Sequence, residues 1–141
     1  MNYKYFKSIF LLSLFFLIGC SVQYAPNIDF SFEKSDITLT DGTYSEFNDI
    51  LIKSRVDWDG DETFIIKFKN LDNVYFVNSD LEKIDLINFT LNSKKFEDKE
   101  SIKVYGESVP GLTEGKFELD VILVWNNTLQ QSKKLIVEII N

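Results

Sequence analysis

Histidine is absent from this 141-residue chain, and cysteine occurs once, at Cys20. Without imidazole there is no histidine-based zinc site, no Ser-His-Asp triad and no Cys-His pair. One cysteine can form neither a disulfide within the chain nor a thiolate metal cluster. Any folded part must therefore be held by its apolar core. An excess of basic residues is also missing: 15 Lys and Arg stand against 22 Asp and Glu, a net charge of −7. Such a surface repels phosphate backbones and anionic headgroups, which argues against a nucleic-acid partner. No stretch keeps a helical period, no internal repeat is visible, and no apolar run reaches the roughly 20 residues that a transmembrane helix needs.

The longest apolar run, Ile9 to Ile18, is broken only by Ser13 and follows Lys4 and Lys7 with no acidic residue before it. A positive start, a short apolar stretch and a small residue at its end are the layout of a secretory signal. No alanine stands near its end to make an ordinary cleavage site. Leu17-Ile18-Gly19-Cys20 instead resembles the lipobox of bacterial lipoproteins. The resemblance implies that diacylglycerol is attached to the Cys20 thiol, that residues 1–19 are a cleaved signal peptide, and that residues 20–27 are the lipidated N-terminus and a short tether. Each acyl chain contributes about 0.8 kcal/mol per buried CH₂, so two or three chains anchor stably. Ser21, in place of an aspartate after the cysteine, implies the outer membrane in a Gram-negative host. The expected location is the bacterial cell envelope, with the membrane contacted through lipid.

Removing residues 1–19 from 141 leaves 122, one domain by size. Removing Lys4 and Lys7 leaves 13 basic against 22 acidic residues, so the processed chain carries −9. Ser21 to Asn27 lacks periodicity and reaches at most about 25 Å. From residue 28 onward, short alternating segments recur between polar turns. Ile28–Phe32 and Asp36–Thr40 read as edge strands, separated by Glu33-Lys34-Ser35 and followed by an Asp41-Gly42 turn. Asn48 to Trp58 alternates, with Ile50, Ile52, Val56 and Trp58 on one face and Ser54 among them, and Phe64, Ile66 and Phe68 form the next stripe. Placing Val56 opposite Phe64 and Ile52 opposite Phe68 predicts a hairpin closed by Asp59-Gly60-Asp61. Val74 to Val77 is a short strand, and Ile84 to Leu91 a longer one with Ile87, Phe89 and Leu91 inward. Asn92 to Glu100 is a polar loop or poor edge strand, and Ser101 to Tyr105 is a strand. Pro110 to Gly115 is a turn. Phe117 to Trp125 is the clearest strand, returning through Asn126-Asn127-Thr128 with Leu119 opposite Leu135 and Phe117 opposite Val137.

Strands at this spacing predict an all-β fold, an antiparallel β-sandwich of about seven to nine strands over residues 28–141. The stretch from Pro110 to Ile139 resembles the closing strands of immunoglobulin-like and fibronectin type III-like domains. That resemblance implies an immunoglobulin-like topology, here without the family's cysteine pair.

Asp57, Asp59, Asp61 and Glu62 supply oxygens of the kind that Ca²⁺ takes, but Gly60 falls at the fourth position and not the sixth of an EF-hand loop. The alternative is a turn that uses Asp and Gly for its geometry, and no cofactor or metal is expected. Tyr75 or Phe76, with Tyr44, Phe47 and Tyr105, makes a candidate aromatic platform for sugar or peptide, against the alternative of core filling. Asn88-Phe89-Thr90 and Asn126-Asn127-Thr128 match the glycosylation pattern by chance in a bacterial lipoprotein. No set of carboxylates, lysines or tyrosines is fixed at a catalytic spacing, so no enzyme activity is expected.

The sequence thus predicts a non-enzymatic, lipid-anchored adaptor or interaction subunit whose partner is another envelope protein; a surface module for carbohydrate or another small ligand is the alternative. Replacing Cys20 with serine is expected to abolish fatty-acid labelling and move the protein from the membrane fraction to the soluble fraction. Unchanged fractionation would overturn the anchor.

Overall fold

A computed structural model describes residues 28–109 and 115–141. The expected signal peptide, Cys20 and the expected tether lie outside the described residues, as does most of the expected Pro110 to Gly115 turn. The described residues form ten strands and no helix. In chain order these are β1 (Ile28–Phe32), β2 (Asp36–Thr40), β3 (Thr43–Tyr44), β4 (Asn48–Ser54), β5 (Glu62–Lys69), β6 (Val74–Val77), β7 (Leu86–Leu91), β8 (Glu97–Gly106), β9 (Lys116–Trp125) and β10 (Thr128–Ile140).

Two sheets result. The first runs β1-β4-β8, with β3 continuing along β8 beyond the end of β4 and β6 on the opposite side of β8. The second runs β2-β10-β9-β5-β7. Every pairing is antiparallel except β2 with β10, which is parallel. The expected all-β, two-layer architecture is present, with this one departure from a purely antiparallel plan.

Alternation places one apolar stripe per strand between the sheets. Phe30, Ile50, Ile52, Phe76, Ile102 and Val104 come from the first sheet, and Phe64, Ile66, Phe89, Leu119, Leu123 and Leu135 from the second; all are essentially inaccessible. Each such side chain contributes about 1.5–3 kcal/mol on burial. Phe68 and Phe76 meet across the layers with ring centroids 4.4 Å apart. At one end Trp58, Phe64 and Trp125 form a three-ring cluster with centroids 5.9 to 6.3 Å apart. Gly106 sits at the other end, where an added β-carbon would lie 3.0 Å from the side-chain tips of Leu39 and Ile139.

The edge positions of β1 and β2 agree with the sequence reading, and the bounds of β1, β2 and β6 coincide with it. Leu119 pairs with Leu135 and Phe117 with Val137, as the alternation predicts. The connection is tighter than the three residues expected: Asn126 and Asn127 alone turn the chain, both with positive φ (49° and 56°). Asparagine tolerates that conformation, and a bulge between Leu129 and Gln131 absorbs the extra residue.

The hairpin through Asp59-Gly60-Asp61 does not form. β4 pairs with β1 and β8, whereas β5 pairs with β7 and β9, so the two strands lie in different sheets. Their stripes meet across the interior and not side by side. The strand read as Asn48 to Trp58 ends at Ser54, whose buried hydroxyl accepts from Trp58 Nε1 (3.1 Å) and Val56 N (3.2 Å). Those bonds bend residues 55–61 across to the second sheet. Of the polar stretch before Ser101, read as a loop or poor edge strand, the part from Glu97 is the first half of β8, paired along β4 and open on its other side. Ion pairs Lys53–Glu97 (3.4 Å) and Lys99–Asp49 (3.0 Å) let charged residues occupy it. Being exposed, they add little to stability. β7 starts at Leu86, two residues later than expected, with Phe89 and Leu91 buried and Ile87 half-buried on the inward face.

Asn48 holds the passage from β1 to β2. It is fully buried, its Nδ2 donates to Lys34 O (2.9 Å) and its Oδ1 accepts from Lys34 N (2.9 Å). Asn48→Ala orphans both backbone groups and is expected to cost about 1–3 kcal/mol in denaturant unfolding. A change below about 0.5 kcal/mol would show that water replaces the amide without cost.

Candidate functional site

The route from β3 to β4 contains one residue too many. Tyr44 pairs with Tyr105 and Asn48 with Ile102, so four steps on one strand oppose three on the other. This is a β-bulge, a device that re-aims side chains. Ser45 turns inward, its buried hydroxyl accepting from Val104 N (2.9 Å) and donating to Glu46 O (2.7 Å). Phe47 is turned out and left 46% exposed, with Lys103 Nζ 4.5 Å from its ring centroid.

A groove of about 330 Å³ runs between this bulged segment and β2. Its lining comprises Lys34, residues 36–40 and residues 43–48. Ile136 N donates to Ser35 O (3.0 Å) and Asp41 N to Ile140 O (2.8 Å), which sets the phase of the parallel ladder. Ser35, Ile37, Leu39 and Asp41 thus bond to β10, and the two-residue period directs the backbone groups of Asp36 and Thr38 toward the free side. Lys34 and Glu46, both in the lining, pair at 3.4 Å.

Tyr44 also begins a row of rings across the outer face of the first sheet. Tyr105 is the register partner of both Tyr44 and Tyr75. Its ring centroid lies 5.2 Å from that of Tyr44 and 5.0 Å from that of Tyr75, and Lys83 Nζ stands 5.0 Å over the Tyr75 ring. The Tyr105 hydroxyl donates to Glu107 Oε2 (3.0 Å), and that carboxylate holds the phenol above its ordinary pKa, keeping it a neutral donor.

The aromatic set read from the sequence therefore separates. Tyr44, Tyr75, Tyr105 and Phe47 share one outer surface, while Phe76 is buried in the core. The acidic set behaves differently. Asp61 accepts from Asn92 Nδ2 (2.7 Å) and Glu62 from Trp125 Nε1 (3.0 Å), so these carboxylates serve the turn and the tryptophan cluster. Among the described residues no group of three or more acidic or sulfur ligands is gathered to hold a metal, with Asp57 and Asp59 included in that statement. Ser45, Asn48 and the β2 edge were not visible as site residues. The one sequence signal was Ser45-Glu46, two successive polar residues between Tyr44 and Phe47 that break the period of two, as a bulge does. Together these groups offer backbone donors and acceptors, ring edges and both signs of charge, which is the chemistry of recognition.

No protein-family model and no curated protein matches the sequence. Among solved structures, the chain is similar to the Pseudomonas fluorescens alkylpurine DNA glycosylase AlkC bound to DNA containing an abasic site analog, at 9% identity and a TM-score of 0.44, covering 87% of this chain and 33% of that one. It is also similar to Spo0M, a sporulation control protein from Bacillus subtilis, at 14% identity and a TM-score of 0.38, covering 79% of this chain and 49% of that one. The chain thus spans about a third and about half of the two.

Proposed function

We propose that this chain is a lipid-anchored envelope protein whose β domain is an adaptor, taking an extended segment of a partner protein along the free edge of β2. The observation that carries the reading is the groove, which lies beside the outward backbone groups of Asp36 and Thr38 and is flanked by the exposed rings of Tyr44 and Phe47. Strand addition draws affinity from main-chain hydrogen bonds and specificity from side-chain contacts beside them. Exposed aromatics at a groove are the residues that most often dominate binding energy. The anchor is the lipid on Cys20 that the lipobox resemblance implies.

β1-β4-β8-β6 follows the A-B-E-D order of an immunoglobulin-like domain and β5-β9-β10 its C-F-G order, with β2 and β7 added at the two margins of the second sheet. That order supports an immunoglobulin-like module, a scaffold that presents edges and loops to partners. Carbohydrate binding is less well supported, since stacking a sugar needs open ring faces. In the tyrosine row Tyr105 is flanked by two other rings and Tyr75 lies under Lys83.

A photo-reactive benzophenone side chain at position 47, introduced in the native host, is expected to trap a discrete protein adduct. Thr38→Pro removes one outward N–H without touching the β10 ladder, and should abolish that adduct while leaving the melting temperature within a few degrees. Phe47→Ala should weaken the isolated complex by about 10- to 100-fold. An adduct indifferent to Thr38→Pro, or specific glycan binding with no protein adduct, would overturn the adaptor reading.

A further inference from the structure

Open sheets must manage their edges, and this chain treats its edges unequally. On β1, Gln131 Nε2 donates to Ile28 O (2.6 Å) and Lys133 Nζ to Phe30 O, so side chains from β10 occupy its outward carbonyls. On the first half of β8, Asp98 and Glu100 share the inward parity of Ile102, and inward charge is a known deterrent to edge pairing. β2 lies along a groove, which admits a single extended segment more readily than the margin of another folded sheet. β7 has none of these protections. Its sequence, Leu86-Ile87-Asn88-Phe89-Thr90-Leu91, contains no charge, proline or glycine, and Leu86 is 46% exposed.

We propose that β7 is a self-association edge, and that two copies of this chain pair there antiparallel about a two-fold axis at Asn88. Phe68 N donates to Asp85 O (2.9 Å), which fixes the phase: Asp85, Ile87, Phe89 and Leu91 bond to β5, and Leu86, Asn88 and Thr90 direct their N–H and C=O groups to the free side. With Asn88 opposite its own copy, Leu86 falls opposite the partner's Thr90. All three outward residues then occupy hydrogen-bonded positions, closing about six backbone bonds by the antiparallel pattern. Shifting the register by two residues loses part of that set.

Charge selects the same arrangement. Asp80, Glu82, Lys83 and Asp85 precede β7, a net −2 with Lys83 held over the Tyr75 ring, and Lys94 and Lys95 follow it in the turn to β8, where Lys95 pairs with Asp98 (2.9 Å). Antiparallel pairing sets the acidic flank of one copy beside the basic flank of the other, twice, whereas parallel pairing sets like against like. On the inward face, half-buried Ile87 comes beside the partner's Phe89. An interface of one strand edge falls short of the roughly 1,200–2,000 Å² of stable complexes, so the expected dissociation constant is on the order of 10–100 μM.

The test is a charge swap on the full chain, read by sedimentation velocity up to about 500 μM, above the expected constant. Wild type should dimerise. Asn88→Lys and Asn88→Asp, at an exposed position, should each raise the dissociation constant at least about tenfold at unchanged melting temperature, because each sets two like charges at the axis. Mixing the two variants should restore dimers. Asn88→Cys should in addition form a reducible dimer that Ser132→Cys, three strands away on β10, does not. A monomeric wild type at the highest concentration, or a mixture no better than either variant alone, would overturn the proposal.

Discussion

The buried amide of Asn48 is the interaction on which the rest of the domain's arrangement depends. β1 belongs to one sheet and β2 to the other, so the chain must leave its first partner within the three residues Glu33 to Ser35. Lys34 stands between the last bond to the first sheet, Glu33 N to Asp49 O (2.8 Å), and the first to the second, Ile136 N to Ser35 O (3.0 Å), so its own backbone groups have no ladder to enter, and unpaired burial costs about 1–3 kcal/mol per group. Asn48 supplies both a donor and an acceptor to Lys34 from the first position of β4. Ser45, three residues earlier, accepts from Val104 N and donates to Glu46 O inside the bulge. With these two polar side chains in place, β2 can run parallel to β10, the bulge can turn Phe47 outward, and a groove remains between them. Remove the clamp and the groove loses one wall.

The handling of edges follows the same logic of local substitution. Where a strand has no neighbour, a side chain from elsewhere fills the vacancy, as Gln131 and Lys133 do for β1. The charged half of β8 is a second solution, since Lys53, Lys99, Asp49 and Glu97 pair along one flank while inward acids face the open side. Each surface ion pair is weak in stability terms. Their value is in discouraging wrong neighbours; with Asn70, Leu71 and Ile84 filling the outer side of β6, the margins left to accept a strand are β2 and β7.

Much of the strand content was legible because alternation is a local property: burial of Phe117 to Trp125 and of Leu135, Val137 and Ile139 follows from the period-two pattern, and their register from matching stripes. What alternation lacks is any record of which strand lies beside which. Ile52 and Phe68 match equally well as neighbours in one sheet or as opposed faces of two, and only the second holds here. Polar strands escape for the complementary reason. Glu97 to Glu100 carries no apolar stripe, because its stabilisation comes from β4 and from ion pairs distant in sequence. The tyrosine row was visible as composition, yet its convergence depends on three strands separated by as many as 61 residues, from Tyr44 to Tyr105. Phe76, adjacent to Tyr75, goes inward for the same alternation that sends Tyr75 out.

The lipid-anchor reading and the β7 pairing constrain one another. The two-fold axis of an antiparallel strand pair is perpendicular to the strands. If both copies are anchored in one bilayer, that axis lies along the membrane normal, and the strands of the domain lie parallel to the membrane. The chain enters the fold at Ile28, and the stretch from Ser21 to Asn27 spans at most about 25 Å. Sheets packed face to face lie about 10 Å apart, with roughly another side-chain layer outside each, so a domain resting on its side is within that reach. β2 and its groove then also run parallel to the membrane, and the segment they receive would approach along the surface. An upright monomer presents the same groove along the normal, to a segment descending toward the bilayer. Dimerisation at β7 therefore selects which direction a partner can come from, without any residue of the groove taking part.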